Sequence, residues 1–130
     1  MKTYQIFIKA ITLMVIVFSC STISTQSQEE DLFALDNLKL EIETIVDQGN
    51  CTEISNCNYI AFGSKACGGP QGYLVYSNSI DVILLKEKVT KYNQQEKDYN
   101  KKWNIISDCS VPSPPTSIAC VDGKCIGVYN

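Results

Sequence analysis

Residues 116–129, TSIACVDGKCIGVY, place Asp122-Gly123 between two runs of mainly apolar and β-branched side chains. An Asp-Gly dipeptide in this setting is typical of a two-residue β-hairpin turn, because both residues accept the positive φ angles that the turn requires. The resulting register sets Cys120 opposite Cys125 in a non-hydrogen-bonded pair, where facing side chains approach closely. A Cys120–Cys125 disulfide is therefore feasible.

Two segments upstream of this hairpin have the apolar periodicity of amphipathic helices. The first covers residues 32–48, with the acidic residues 29–31 suited to its start and Gly49 as its stop signal. The second covers residues 79–102, and we expect Asn78 to cap it. The lysines of its outer face alternate with acidic residues, which is typical of a solvated helix surface.

Strands are predicted at residues 59–62 and 73–77, which are rich in aromatic and branched side chains, and a short one at residues 105–107. Together with the hairpin they predict an α+β fold, in which two helices pack on a small antiparallel sheet of about four strands. Residues 32–130 would form this single domain. The predicted core consists of Leu35, Leu38, Ile42, Ile45, Ile60, Phe62, Leu74, Tyr76, Leu85, Val89, Tyr92 and Ile118.

The composition excludes several classes of function. The chain has 130 residues, all 11 basic residues are lysines, histidine is absent and the net charge is −3. Without histidine, neither a Ser-His-Asp triad nor a histidine-ligated metal can form. The acidic balance argues against nucleic acid as a partner, and no Cys-x2-Cys spacing indicates a zinc ribbon or a thioredoxin-like site. We therefore expect a non-enzymatic protein without a metal or a cofactor.

Residues 1–19 have the pattern of a secretory signal peptide, since two lysines accompany an apolar run at residues 10–18. That run is too short to span a bilayer as a helix. Ser19 and Cys20 follow the run, and the sequence Phe18-Ser19-Cys20 resembles the lipobox of bacterial lipoproteins. The resemblance implies that the chain is cut before Cys20 and that this cysteine carries palmitate-type acyl chains, which would attach the protein to a membrane.

Cysteine parity also indicates export. The chain has seven cysteines, and if Cys20 carries lipid the other six are Cys51, Cys57, Cys67, Cys109, Cys120 and Cys125. An even number in a short exported chain predicts three disulfides, formed in an oxidising compartment. Six cysteines allow fifteen pairings, so a Cys120–Cys125 bridge with the other four paired among themselves is one of several arrangements. Residues 20–31 would be the lipidated cysteine and a polar tether; cleavage near Ser24 would instead give a secreted domain.

The glycine-rich segment 63–70, GSKACGGP, is the most distinctive candidate site. It resembles a block in uncharacterised small exported bacterial proteins; this resemblance, from about Cys51 to Cys125, implies no activity. The segment is interpreted either as a tight structural turn or as a rigid recognition loop, which loses little entropy on binding. The candidate binding residues are Ser64, Lys65, Gly68, Gly69, Pro70 and Tyr73.

These features predict a lipid-anchored, non-enzymatic protein of the bacterial cell envelope, facing the periplasm or the exterior, with a binding or structural role. Its expected partners are a membrane, through the lipid on Cys20, and a protein. The alternative is a secreted or surface inhibitor of an extracellular hydrolase, in which the loop at residues 64–70 presents Lys65 to an acidic specificity pocket.

Overall fold

A computed structural model describes residues 26–130, so the predicted signal peptide and the predicted lipid attachment at Cys20 lie outside the described residues. Two helices and two antiparallel two-stranded sheets, linked by three disulfides, form an α+β domain. In chain order the elements are α1 (Gln28–Asp47), a 3₁₀ turn (Ile54–Asn56), β1 (Cys57–Phe62), β2 (Gly72–Ser77), α2 (Val82–Lys102), β3 (Ser117–Val121) and β4 (Lys124–Val128). Neither α1 nor α2 contains a stretch apolar enough to cross a lipid bilayer.

Helix α1 begins with a capping box. The Ser27 hydroxyl accepts the Glu30 amide, while the Glu30 carboxylate accepts the Ser27 amide, so two otherwise unpaired N–H groups are satisfied. Residues 28–31, predicted to belong to the tether, therefore form the first helical turn. At the other end the Gly49 amide donates to the Val46 carbonyl, in agreement with the predicted stop.

Helix α2 begins at Val82, later than predicted, and its N-cap is Asp81 instead of Asn78. The Asp81 side chain accepts an amide of the first turn at 2.9 Å. The residues before it are held differently, because Ser79 exchanges hydrogen bonds with the backbone of Asn50. That contact with a distant segment keeps residues 78–80 in a turn, and local sequence signals do not reveal it.

The core lies between α1, α2 and one face of the β1–β2 sheet. Seven of the predicted core residues are buried in one cluster, namely Leu35, Leu38, Ile42, Tyr76, Leu85, Val89 and Tyr92. Ile45, Ile60, Phe62 and Leu74 are partly buried and pack against it. The Phe62 and Tyr92 rings stack with their centroids 4.7 Å apart, and burial, reinforced by the Glu96 carboxylate, raises the pKa of Tyr92 to about 12. Ile118 is half-buried on β3.

The predicted C-terminal hairpin is confirmed with its register. Asp122 and Gly123 have φ angles of 49° and 77°, as a type I′ turn requires, and Cys120 lies opposite Cys125. The feasible Cys120–Cys125 disulfide is nevertheless wrong. The two cysteines each bond to the segment that precedes and begins β1, in the pairs Cys51–Cys120 and Cys57–Cys125, while Cys67 bonds to Cys109.

The predicted four-stranded sheet is two separate pairs, β1–β2 and β3–β4. Side chains alternate along β1, so Cys57 points away from the face on which Ile60 and Phe62 meet the helices. The Cys57–Cys125 disulfide therefore holds the β3–β4 hairpin against that other face of the β1–β2 sheet. The hairpin does not add strands to an edge of that sheet. The strand predicted at residues 105–107 is also wrong, since this segment forms no ladder and Ile106 is 94% exposed.

Candidate functional site

The glycine-rich loop between β1 and β2 is clamped to α2 by three polar side chains. Asn93 accepts the Gly63 amide at 2.7 Å, and Glu96 accepts the Ser64 amide at 2.5 Å. Asn100, which is buried, donates to the Ser64 carbonyl at 2.6 Å. Because these side chains satisfy backbone groups that would otherwise lose their water, the start of the loop has a fixed conformation.

Gly63 is required by this geometry. Its φ is +79°, and a Cβ built there would lie 2.6 Å from the Gln71 side chain and 2.9 Å from the Glu96 carboxylate. Any other residue would be strained and would also push the loop away from α2. The predicted structural role of the glycines is thus explained at this position by close approach of the two ends of the loop.

Lys65, the predicted contact residue of the loop, is not presented to solvent. Its ammonium group donates to Asp108 at 2.7 Å and to the Ser110 carbonyl at 2.6 Å, and its side chain is only 9% exposed. The hydrogen bond from Lys65 holds the pKa of Asp108 below its usual value, with help from the Ser110 hydroxyl. The lysine therefore fastens the loop to the segment that follows α2.

We expect this ion pair to contribute an acid-sensitive part of the stability. A carboxyl group whose pKa is lowered by folding stabilises the folded state above its unfolded pKa, about 4, and loses that contribution as the pH falls through the lower folded value. Denaturant unfolding between pH 7 and pH 2.5 should therefore show a smaller acid-induced loss for Asp108→Asn than for the wild type. Glu87→Gln, which removes an exposed carboxylate without a salt bridge among the described residues, is the control; equal losses for Asp108→Asn and wild type would contradict the assignment.

The Cys67–Cys109 disulfide closes the far side of the loop. Both cysteines are exposed, unlike Cys51 and Cys57, which are 6% and 8% exposed. Gly68 and Gly69 follow with φ angles of 94° and 82° and are also exposed. At the loop tip the backbone and the disulfide are thus accessible to solvent, whereas the Lys65 ammonium group is hydrogen-bonded within the protein.

Limited reduction should open Cys67–Cys109 before the other two bridges, because a reductant reaches exposed sulfur more readily than buried sulfur. Native protein would be treated with a small excess of a water-soluble phosphine, alkylated, and mapped by peptide mass spectrometry. Early label should be found on Cys67 and Cys109. Simultaneous labelling of Cys51 or Cys57 would show that access does not control the order.

Tyr73 lies on the sheet face that points away from the helices. The pairing of β1 with β2 puts it on the same face as Tyr59, and their rings meet edge to face with centroids 5.7 Å apart. Tyr59 is 40% exposed, Tyr73 is half-buried, and Pro70 is half-buried at the end of the loop. Tyr73, a predicted binding residue, is thus packed against a second tyrosine on this face of the sheet.

A second polar cluster joins the start of α1 to the end of α2. Asp31 accepts from Lys102 at 2.5 Å and from the Trp103 indole at 2.8 Å, and these hydrogen bonds, led by that of Lys102, lower the pKa of Asp31. Gln28 donates to the Tyr99 hydroxyl beside it. Trp103, half-buried and bonded in this way, ties the first turn of α1 to the domain.

Two disulfides lie side by side where the second hairpin meets the first sheet. The sulfur atoms of Cys51, Cys57 and Cys125 all lie within 4.8 Å of one another, and the sulfur of Cys120 is bonded to that of Cys51. The Cys51 amide donates to the Gly123 carbonyl at 2.9 Å, which places Cys51 at the hairpin turn. Cysteine parity predicted these residues as disulfide cysteines, but their convergence depends on the three-dimensional fold.

In comparisons with known proteins, no family model matches the chain, and neither a curated protein nor a solved structure gives a significant match.

Proposed function

We propose that this is an exported, non-enzymatic protein, anchored to a bacterial cell-envelope membrane through lipid on Cys20, with a compact binding or structural domain. The observation that carries the proposal is the pairing of the cysteines. Every cysteine of the described residues is in a disulfide, and Cys20 is the one left over from the seven in the chain. Three disulfides are typical of an oxidising compartment outside the cytoplasm.

Lipid attachment accounts for the seventh cysteine. An exported chain with an odd number of cysteines would carry a reactive thiol or pair with another molecule. A thioether to diacylglycerol removes that thiol and supplies two acyl chains, enough for stable anchoring. The lipobox-like sequence ending at Cys20 is the feature that favours this solution.

Three carboxylates of the described residues take part in structural ion pairs. Asp31, Glu41 and Asp108 each form an ion pair with a lysine, and the hydrogen bond from that lysine is the main reason why each pKa is lowered. Burial raises the pKa of Tyr76 and Tyr92. The shifts of these five groups move away from neutrality, whereas a general acid or base is tuned towards the working pH, so a structural role fits these five side chains.

The inhibitor alternative has weaker support. It needs a loop that projects from the body with Lys65 free to enter an acidic pocket. The ammonium group of Lys65 is instead held by Asp108 and Ser110, and the loop backbone is held by α2. A protease would have to break these contacts before the lysine could bind.

Membrane fractionation tests the proposal. The wild type, Cys20→Ser and the Cys67→Ser/Cys109→Ser pair would be produced in a bacterium that processes lipoproteins and labelled with radioactive palmitate. We expect label and membrane recovery for the wild type and for the Cys67/Cys109 pair, and loss of both for Cys20→Ser. The Cys67/Cys109 variant controls for the general effect of removing cysteines. Wild-type protein recovered without label in the soluble fraction would contradict the anchor.

A further inference from the structure

The two helices carry opposite charge. Helix α1 contains seven acidic residues and one lysine, whereas α2 contains six lysines and three acidic residues. The helices pack side by side over the core, so the helical layer has an acidic half and a basic half. Two ion pairs join the halves where they meet, Lys88 with Glu41 at 2.6 Å and Lys102 with Asp31 at 2.5 Å. Most of the charge on each helix is therefore not used to pair α1 with α2.

The unused acidic residues of α1 follow the side that is turned away from α2. Asp31 and Glu41 mark the side that faces α2, and the opposite side lies half a turn away at 3.6 residues per turn. Three exposed acidic residues lie on that opposite side at seven-residue steps, and they define the acidic edge: Glu29, Asp36 and Glu43. Within residues 26–130, Glu43 alone of the three has a salt bridge, to Lys39 at 4.0 Å.

The corresponding side of α2 is basic. Lys88 and Lys102 mark the side that faces α1. The opposite side carries three exposed lysines, which define the basic edge: Lys86, Lys97 and Lys101. None of the three has a salt bridge in the described part of the chain. The exposed acidic residues of α2, Glu87 and Asp98, lie on the surface between the two sides. The helical layer thus ends in opposite charge at its two edges.

The two edges also match in register. The internal pairs Asp31–Lys102 and Glu41–Lys88 fix which residues of the antiparallel helices lie at the same height. Counted from these pairs at about 1.5 Å per residue, each member of the acidic edge is level with a member of the basic edge to within about one turn. A second copy placed beside the first by a sideways translation therefore repeats the internal pairing between molecules. The resulting pairs are Glu29 with Lys101, Asp36 with Lys97, and Glu43 with Lys86.

We propose that the protein associates with further copies of itself, the acidic edge of one copy against the basic edge of the next. A second copy is the partner that fits, because both edges belong to one chain and their charges are in register. Phe33 and Leu40 border the acidic edge and are 69% and 61% exposed, so this contact also removes apolar surface from water. The inference goes beyond the proposed function and does not depend on lipid anchoring.

This contact joins two different surfaces and leaves one edge free at each end. A heterologous contact of this kind does not close by a two-fold rotation, so the copies form open rows instead of stopping at a dimer. The rows should be weak, since one exposed ion pair changes an equilibrium constant by less than about sixfold. They should also dissociate in salt, which shortens the screening length from roughly 20 Å at about 0.02 M to about 4 Å at about 0.5 M.

Sedimentation velocity tests the inference. The full chain with Cys20→Ser, which has no thiol for lipid attachment, would be measured over a range of protein concentrations at low and at high salt. We expect the average sedimentation coefficient to rise with concentration at low salt, without a plateau at the dimer. At high salt we expect monomer throughout.

Charge reversal separates this contact from unspecific association. In the same background, Asp36→Lys/Glu43→Lys makes both edges basic, and Lys86→Glu/Lys97→Glu makes both edges acidic. Each double variant alone should associate at least about tenfold more weakly, because its edges repel. An equimolar mixture of the two should associate again, since every contact then joins a basic edge to an acidic one.

A matched control places the same change in net charge elsewhere. Glu53 and Glu87 are exposed and lie outside both edges, so Glu53→Lys/Glu87→Lys should associate as strongly as the parent chain. Circular dichroism would check that all variants are folded. A parent chain that stays monomeric at low salt, double reversals that associate as it does, or a mixture that stays monomeric would overturn the proposal.

Discussion

Replacing Cys57 and Cys125 with alanine is expected to lower the free energy of unfolding by about 3 kcal/mol, and removing the Cys51–Cys120 bridge as well should bring the loss to about 7 kcal/mol. The two bridges span sequence separations of 69 and 68 residues, and either one alone restricts the unfolded chain by roughly 4 kcal/mol. Their ends are only a few residues apart, so with one bridge closed the second closes a loop of only about a dozen residues, which is worth about 3 kcal/mol.

The two effects should therefore be more than additive. Small domains have about 5–15 kcal/mol of stability in total, so the variant that lacks both bridges is expected to be largely unfolded or close to it. Denaturant unfolding of the wild type, the two single-bridge variants and the combined variant measures this. A combined loss within about 1 kcal/mol of zero would contradict the structural assignment of these bridges, because removing even one native disulfide from a small secreted domain typically costs about 2–5 kcal/mol.

Leu85→Ala is expected to cost about 3–5 kcal/mol, whereas Leu40→Ala should cost less than about 0.5 kcal/mol. Leu85 on α2 is 0% exposed and belongs to the core cluster, while Leu40 on α1 is 61% exposed. Both are helical leucines, so helix propensity changes equally and the difference reports the lost packing and the cavity. Without a rearrangement, the space left by Leu85 stays largely empty.

Denaturant unfolding at neutral pH compares the two variants. If Leu85→Ala does not fold at all, Leu85→Met retains the volume and should cost less than about 1.5 kcal/mol, which keeps the comparison measurable. Similar losses for Leu85→Ala and Leu40→Ala would show that α2 does not turn this face towards the core.

The features that the sequence predicted correctly depend on local signals. The apolar stripes locate α1 and α2 to within a few residues, and Asp122-Gly123 determines a turn whose register brings Cys120 opposite Cys125. These signals act over a few residues, through side-chain periodicity and backbone φ preferences.

The features that were missed depend on contacts between distant residues. Disulfide connectivity follows from where the 51–57 segment passes, and no spacing within the hairpin reports that. The Lys65 side chain is largely withdrawn from solvent because its ammonium group pairs with Asp108, 43 residues away. The sequence carries one sign of the contact between the glycine-rich loop and α2, because Glu96 interrupts the apolar stripe of that helix. The partner of Glu96, the Ser64 amide, is identified only by the fold.

The two neighbouring disulfides at the second hairpin show the same limit. Their cysteines are widely spaced along the chain and come together because β3 and β4 set Cys120 opposite Cys125, while residues 51–57 supply the other two sulfurs.

The intact mass of mature protein from the membranes of its native host, measured before and after reduction and alkylation, tests lipid attachment and disulfide pairing together. We expect a chain that begins at Cys20, carries acyl mass, takes up no alkyl groups before reduction and takes up six after it. A chain without acyl mass that begins downstream of Cys20, or one that is alkylated before reduction, would contradict an exported protein anchored by lipid on Cys20 and held together by three disulfides.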